Sequence, residues 1–336
     1  MLVAASIAIE AAGARTSGRP STLDEAAGQL AKAVHRQIRS EEEQRTIRIP
    51  YVLPVRWHLA PNRLMDSWAN IRKALPGDEP GPLALDGDIS FVEMVYRRIP
   101  TGRLVILGGA GAGKTVLVGR LALALLDDRK PDEPVPVIVN VASWDPSRRL
   151  SDWMVDQLIK DHPELAISMS DARSDMATEL VRSGRILPIL DGLDEMPMQR
   201  HVRAIEQLKL TDGPIVITSR ARDYAAAISG RDVVRSAPTI ELDNLSPDDV
   251  ANYLPRTSAL PWSEILARIQ RPGDQIGTVL RQVLSTPLMV SLARTAYSGA
   301  SGRDPQELVN LLAQQSNPNP SVVERQLFAA YMGLRS

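Results

Sequence analysis

The chain has 336 residues, long enough for two or three domains, and its 44% hydrophobic and 24% charged content is that of an ordinary soluble globular protein. A net charge of −1 removes the electrostatic reason to expect nucleic acid as the main partner. With no cysteine there is no disulfide framework, thiolate zinc site or cysteine nucleophile, and His35, His58, His162 and His201 are scattered without metal-ligand spacing.

The first region, residues 1–82, is helical and extended and ends in a linker. Residues 1–9 are apolar but stop at Glu10, too short to span a bilayer and without the basic start of a secretory signal. Two readings stay open there, the start of a packed helix or the tail of a membrane anchor. The expected location is cytoplasmic, with membrane association through the N-terminus as the alternative. Ser21, with Asp24 and Glu25 behind it, starts a helix in which Leu30, Ala33, Val34 and Ile38 recur at helical spacing until Glu41, Glu42 and Glu43. Residues 47–57 read as extended, and Pro50 and Pro54 argue against a central strand. Residues 76–82, rich in proline and glycine, read as the linker.

Residues 83–242 alternate short apolar runs (103–107, 135–141, 186–190, 215–218 and 239–242) with helical patterns at 114–127, 150–160 with 171–183, and 199–208. This alternation predicts an α/β fold with a parallel sheet covered by helices. Residues 243–336 predict an all-helical domain. Ser246 and Pro247 start a helix, 276–296 gives a longer one interrupted at Pro287, and 322–334 begins another helix and then stops, as if a further domain were cut short.

The first apolar run of the sheet region leads into Gly108, Gly109, Ala110, Gly111, Ala112, Gly113, Lys114 and Thr115, which fit G-x-x-x-x-G-K-[ST] without mismatch. Glycines let successive backbone N–H groups converge on phosphate oxygens, and the following helix, with Val116 in its first turn, points its positive end at the same anion. Lys114 reaches the β- and γ-phosphates, and the Thr115 hydroxyl is a Mg²⁺ ligand. The chain has only six lysines, at positions 32, 73, 114, 130, 160 and 209, so a lysine inside this loop is hard to ascribe to chance.

A second apolar run ends at Asp191, Gly192, Leu193, Asp194 and Glu195. A carboxylate at a strand's carboxyl end lies where open α/β sheets bind ligands. Asp191 is the candidate to hold Mg²⁺ through water. Asp194 and Glu195 both stand near enough to orient an attacking water, and Glu195 is preferred. A third strand ends in Thr218, Ser219 and Arg220, polar groups placed to sense a γ-phosphate, with the guanidinium suited to its geometry.

With these three elements in order, the chain resembles the NACHT family of signal-transduction ATPases, a branch of the AAA-like P-loop proteins. The resemblance rests on residues 108–115, on the acidic box at 191–195, and on Ile217, Thr218, Ser219 and Arg220. Leu284-Ser-Thr-Pro-Leu-Met289 is similar to the family's helical-domain motif, which implies that Pro287 packs against bound nucleotide. Residues 53–57 and 95–99 are similar to those of actinobacterial members, and the resemblance spans roughly residues 45 to 330. It implies a switch with an ADP-bound resting form, nucleotide exchange on sensing a signal, and self-association in the ATP form. Bacterial relatives are associated with signalling and with defence against phage.

The leading expectation is a switch ATPase using ATP or ADP with Mg²⁺, hydrolysing slowly and acting through protein partners that the sequence leaves unnamed. A scaffold that holds nucleotide without turnover is the rival. A GTPase or phosphotransferase on the same core is a third, but there is no Asn-Lys-x-Asp box and no clear arginine-rich lid.

Overall fold

The computed structural model describes residues 22–46, 53–166, 174–229, 233–257, 261–297 and 303–333. The apolar start at 1–9, Ser21, and the first part of the extended run at 47–57 lie outside the described residues.

Helix α1 (Leu23–Thr46) carries Asp24 and Glu25 in its first turn, and the Thr22 hydroxyl accepts from the Glu25 N–H at 3.2 Å. Its apolar stripe of Ala26, Ala27, Leu30, Val34 and Ile38 is buried. Strand β1 (Arg56–Leu59) begins only after both prolines of the extended run, so its own N–H groups are free for the ladder. Next come α2 (Trp68–Ile71), β2 (Gly87–Asp88) and α3 (Val92–Arg97).

The parallel layer follows, as β3 (Arg103–Leu107), α4 (Lys114–Asp127), β4 (Val135–Asn140), α5 (Leu150–Asp161), α6 (Met176–Arg182), β5 (Ile186–Asp191), α7 (Met198–Leu210), β6 (Ile215–Ser219), α8 (Ala221–Ile228) and β7 (Thr239–Leu242). The strand order is β2-β1-β7-β3-β6-β5-β4. Five strands from β7 to β4 are parallel, as the strand-helix alternation requires, while β1 and β2 extend the sheet antiparallel from β7. Every residue of β3 and of β6 is buried, because helices cover both faces and no polar alternation is needed. The registers Leu107↔Ser219, Leu190↔Ile217 and Asn140↔Asp191 bring the carboxyl ends of β3, β6, β5 and β4 to one edge. In an open parallel sheet that edge is where ligands bind.

At the opposite end of β3 a charge is taken inside. Arg103 is 5% exposed and donates from Nε to the Arg235 carbonyl at 2.8 Å. Its Nη1 donates to Thr211 and Gly213, both at 2.8 Å, and its Nη2 to Leu208 at 2.9 Å. Burial pushes its pKa down, opposed by Asp212. The guanidinium ties the end of α7 and the loops before β6 and β7 to one point. Arg103→Met is expected to cost about 3 kcal/mol, because one buried and three partly buried carbonyls lose their donor together. Urea unfolding checks this, and a loss under about 1 kcal/mol would mean that water replaces the guanidinium.

The helices after β7 are α9 (Pro247–Thr257), α10 (Ser263–Gln270), α11 (Gln275–Val283), α12 (Pro287–Ala296), α13 (Gln306–Ala313) and α14 (Pro320–Gly333). Ser246 and Asp249 bond reciprocally at the start of α9, with Ser246 N–H on Asp249 Oδ2 at 2.8 Å and Asp249 N–H on Ser246 Oγ at 3.1 Å. Asp249 also takes the Arg56 guanidinium of β1. The interruption expected at Pro287 is a corner: α11 and α12 meet at 103°, Pro287 is the first residue of α12, and Thr286 caps it by accepting from Met289. The buried apolar residues fall into two clusters, one between Ala26 and Leu242 and one between Leu245 and Ala330. Among the described residues no single helix is long and apolar enough to cross a membrane.

Candidate functional site

The glycine loop joins β3 to α4 at the centre of the edge formed by the strands' carboxyl ends. Gly111 at φ +72° and Gly113 at φ +99° stand in the left-handed region that side chains avoid. At Gly111 a Cβ would also lie 2.8 Å from Leu288 Cβ, closer than carbon atoms approach. That contact belongs to α12, whose Leu288 N–H donates to the Gly111 carbonyl at 3.2 Å. Pro287 Cγ lies 3.9 Å and Val55 Cγ2 3.3 Å from the Cβ position of Gly113. The loop is thus bounded by the segment before β1 on one side and the α11–α12 corner on the other.

Gly113 caps α4 without any side-chain bond to the first-turn N–H groups. Such a helix start is suited to an anion. Gly108 is tied to β6 by its N–H to the Ser219 carbonyl at 3.2 Å, and Ala112 closes a turn onto the Gly109 carbonyl at 3.3 Å. Gly109 and Ala110 form the turn's outer part, and Val116, 43% exposed, stands in the first turn of α4. Lys114 Nζ donates to the carbonyls of Gly108 at 2.9 Å and Gly109 at 3.1 Å. Burial lowers its pKa most; Asp194 pulls it back up, Arg220 pushes it down, and Asp191 and Glu195 raise it. Those four charges therefore share one field with the lysine.

The next residue joins the loop to the acidic box. Thr115 Oγ1 donates to Asp191 Oδ2 at 2.8 Å across 76 residues of sequence. The other carboxylate oxygen, Oδ1, accepts from Thr218 Oγ1 at 2.6 Å. Thr218 was expected among the groups facing a phosphate; it is instead wholly buried, and its hydroxyl also accepts from the Gly192 N–H at 2.9 Å.

The remaining two acids have different partners. Asp194, with a side chain only 5% exposed, accepts from the Arg220 N–H on Oδ1 at 3.1 Å and from Arg220 Nε on Oδ2 at 2.8 Å. Both of its oxygens are therefore committed to Arg220. Glu195 accepts at Oε2 from Asn140 Nδ2 at 2.7 Å. It folds back over Gly192, where a Cβ would lie 3.0 Å from Glu195 Cδ, and Gly192 is itself at φ +81°. Asn140 is held in turn by the Ala142 N–H on its Oδ1 at 2.8 Å.

Asn140 went unnoticed in the sequence. The only signal was one amide side chain near the end of the apolar run at 135–141, and the pairing of β4 with β5 is what gives it meaning. Leu288 and Val55 lie in segments the resemblance singled out, but no contact with the loop was assigned to them, because apolar residues carry no mark of which loop they will press against.

Hard oxygen donors suit Mg²⁺, and Thr115 and Asp191, brought together at 2.8 Å, could supply two of them. No group of three or more His, Cys, Asp or Glu able to hold a metal occurs among the described residues.

Comparison with known proteins gives three findings. No curated protein matches the chain. Among solved structures, the chain aligns with one titled "Structure of C. elegans PCH-2" at 13% identity, covering 74% of this chain and 67% of that one with a TM-score of 0.29, too loose a likeness to argue from. Residues 102–259 match the NACHT domain family model, a narrower segment than the resemblance read from the sequence, and they form a P-loop NTPase nucleotide-binding module similar to that family.

Proposed function

We propose that the chain is a nucleotide-dependent switch. It binds ATP or ADP with Mg²⁺ at residues 108–115, hydrolyses ATP slowly, and uses the nucleotide state to control self-association and signalling, with defence as one setting. Residues 83–242 would form the nucleotide-binding unit, 243–336 the helical unit that reads it, and 1–82 the leading region. The observation that carries this reading is the Thr115–Asp191 hydrogen bond, which joins the phosphate loop to the acidic strand end. A loop that merely turned would have no reason to present a hydroxyl and a carboxylate together.

The parts divide as follows. Residues 108–113 offer their N–H groups to the phosphates, and Lys114 exchanges its two loop carbonyls for phosphate oxygens. Thr115 and Asp191 hold the ion, which when bound neutralises charge on the phosphates. Glu195 orients the attacking water and accepts its proton, with Asn140 holding the carboxylate in place. Arg220, braced by Asp194, answers to the γ-phosphate. The α12 start, bonded to Gly111 and bearing Pro287, is the route by which the helical unit would sense the loop.

One observation also suits the rival scaffold: the Asn140 bond that places Glu195 occupies its Oε2 and stabilises the carboxylate, which makes it a weaker base. A single turnover of γ-labelled ATP with protein in excess separates the two. The switch predicts phosphate release that depends on Mg²⁺, and the scaffold predicts bound ATP recovered intact. A chain that retains no nucleotide would overturn both.

A further inference from the structure

We propose that Thr218 is a positioning residue for the metal-binding carboxylate, its buried hydroxyl holding Asp191 in the one orientation that serves both Thr115 and the ion. The inference rests on the reading of the site as a Mg²⁺-nucleotide site and adds to it a residue on a third strand.

A threonine hydroxyl has one hydrogen to give and lone pairs to receive. At Thr218 the Gly192 N–H, 2.9 Å away, requires a lone pair, so the single hydroxyl hydrogen goes to Asp191 Oδ1 at 2.6 Å. At Thr115 the hydrogen goes to Asp191 Oδ2 at 2.8 Å, which leaves the Thr115 lone pairs for the ion. The two carboxylate oxygens are therefore distinguished, Oδ1 by an inner bond to β6 and Oδ2 by an outer bond to the phosphate loop.

The backbone makes this arrangement specific. Leu190 pairs with Ile217, so Asp191 and Thr218 are each the next residue along two parallel neighbours. Directly after Asp191 the chain turns at Gly192, φ +81°, and leaves the ladder. The Gly192 N–H then faces the interior, and Thr218 Oγ1 is its acceptor. Thr218 is wholly buried, so water cannot readily replace the hydroxyl. One hydroxyl thus satisfies the turn and aims the carboxylate. Groups that aim a metal ligand in this way typically change metal affinity by about 10–100-fold when removed.

The test measures binding rather than turnover. A fluorescent, non-hydrolysable ATP analogue is titrated onto the full chain in EDTA and then at rising Mg²⁺. Thr218→Val is expected to leave affinity in EDTA within about threefold of wild type, while the Mg²⁺ needed for half of the metal-dependent tightening rises about 10–100-fold. Thr218→Ser keeps the hydroxyl and is expected to follow wild type. Should Thr218→Val not fold, Thr218→Ala, which removes the hydroxyl without placing a methyl against Asp191, is measured in its place. An unchanged Mg²⁺ requirement in the hydroxyl-free variant overturns the proposal. So does an equal loss of affinity in EDTA, which would mean general damage to the loop. Wild-type protein that binds no nucleotide, or binds it identically with and without Mg²⁺, would overturn instead the underlying reading of the site.

Discussion

Lys114→Ala is expected to reduce nucleotide affinity by at least about 100-fold, the largest effect of any single substitution in the chain. The ammonium makes two hydrogen bonds to loop carbonyls, at 2.9 and 3.1 Å, and stands at the mouth of the loop where phosphate oxygens would take them over. Charge-assisted bonds are worth roughly 1.5–3 kcal/mol each, and about 1.4 kcal/mol is a factor of ten. Alanine also removes one positive charge beside Asp191 and Glu195, leaving Arg220, itself paired with Asp194, as the remaining cation in that field. Stability without nucleotide should change little in comparison. Burial holds the Lys114 pKa below its usual value, so the folded chain already resists carrying that charge, and losing it relieves a cost as it removes two bonds. Thermal unfolding with and without ATP reads both effects. Wild type should be protected by ligand and the variant should not. A variant still protected at the same ATP concentration would remove Lys114 from the site.

The second large effect is on turnover alone. Glu195→Gln should bind ATP about as well as wild type and hydrolyse it at least about 100-fold more slowly, the usual contribution of a positioned base. Glutamine keeps an oxygen to accept from Asn140, so the side chain's place over Gly192 is preserved while its basicity is lost. Asp194→Asn is the informative contrast. Both Asp194 oxygens are occupied by Arg220, so that change should disturb Arg220 before it touches any water. Single-turnover hydrolysis together with equilibrium binding separates the two acids. Glu195→Gln turning over at the wild-type rate would sink the assignment of the base.

The glycine loop between β3 and α4 could be read as a tight turn from the residues because its spacing is dictated by local backbone geometry. Glycines at 111 and 113 are required by positive φ, and a lysine and a hydroxyl must follow them, all within eight residues. The five parallel strands could be read for a similar reason, since a strand covered on both faces is buried along its length and draws most of its residues from the apolar set, as β3 and β6 do between Arg103 at one end and Thr218 and Ser219 at the other. The antiparallel pair β1 and β2 was not foreseen. β1 is four residues long and β2 two, too short for alternation to declare itself, and two prolines precede β1.

What the residues alone determined, then, was the opening feature of the site and the class of sheet behind it, both products of contacts within a few positions of one another. The different partners of the acids needed the tertiary structure. Asp194 and Glu195 are adjacent and chemically alike, and they are told apart only by Arg220 on one side and Asn140 on the other. Thr218 looks like any polar residue at a strand end until the pairing of β6 with β5 sets it beside Asp191. The α12 contact with Gly111 joins positions far apart in the chain. Hydrogen bonds of this kind depend on strand order and helix docking, which arise from the packing of the whole sheet and leave no pattern in the local sequence.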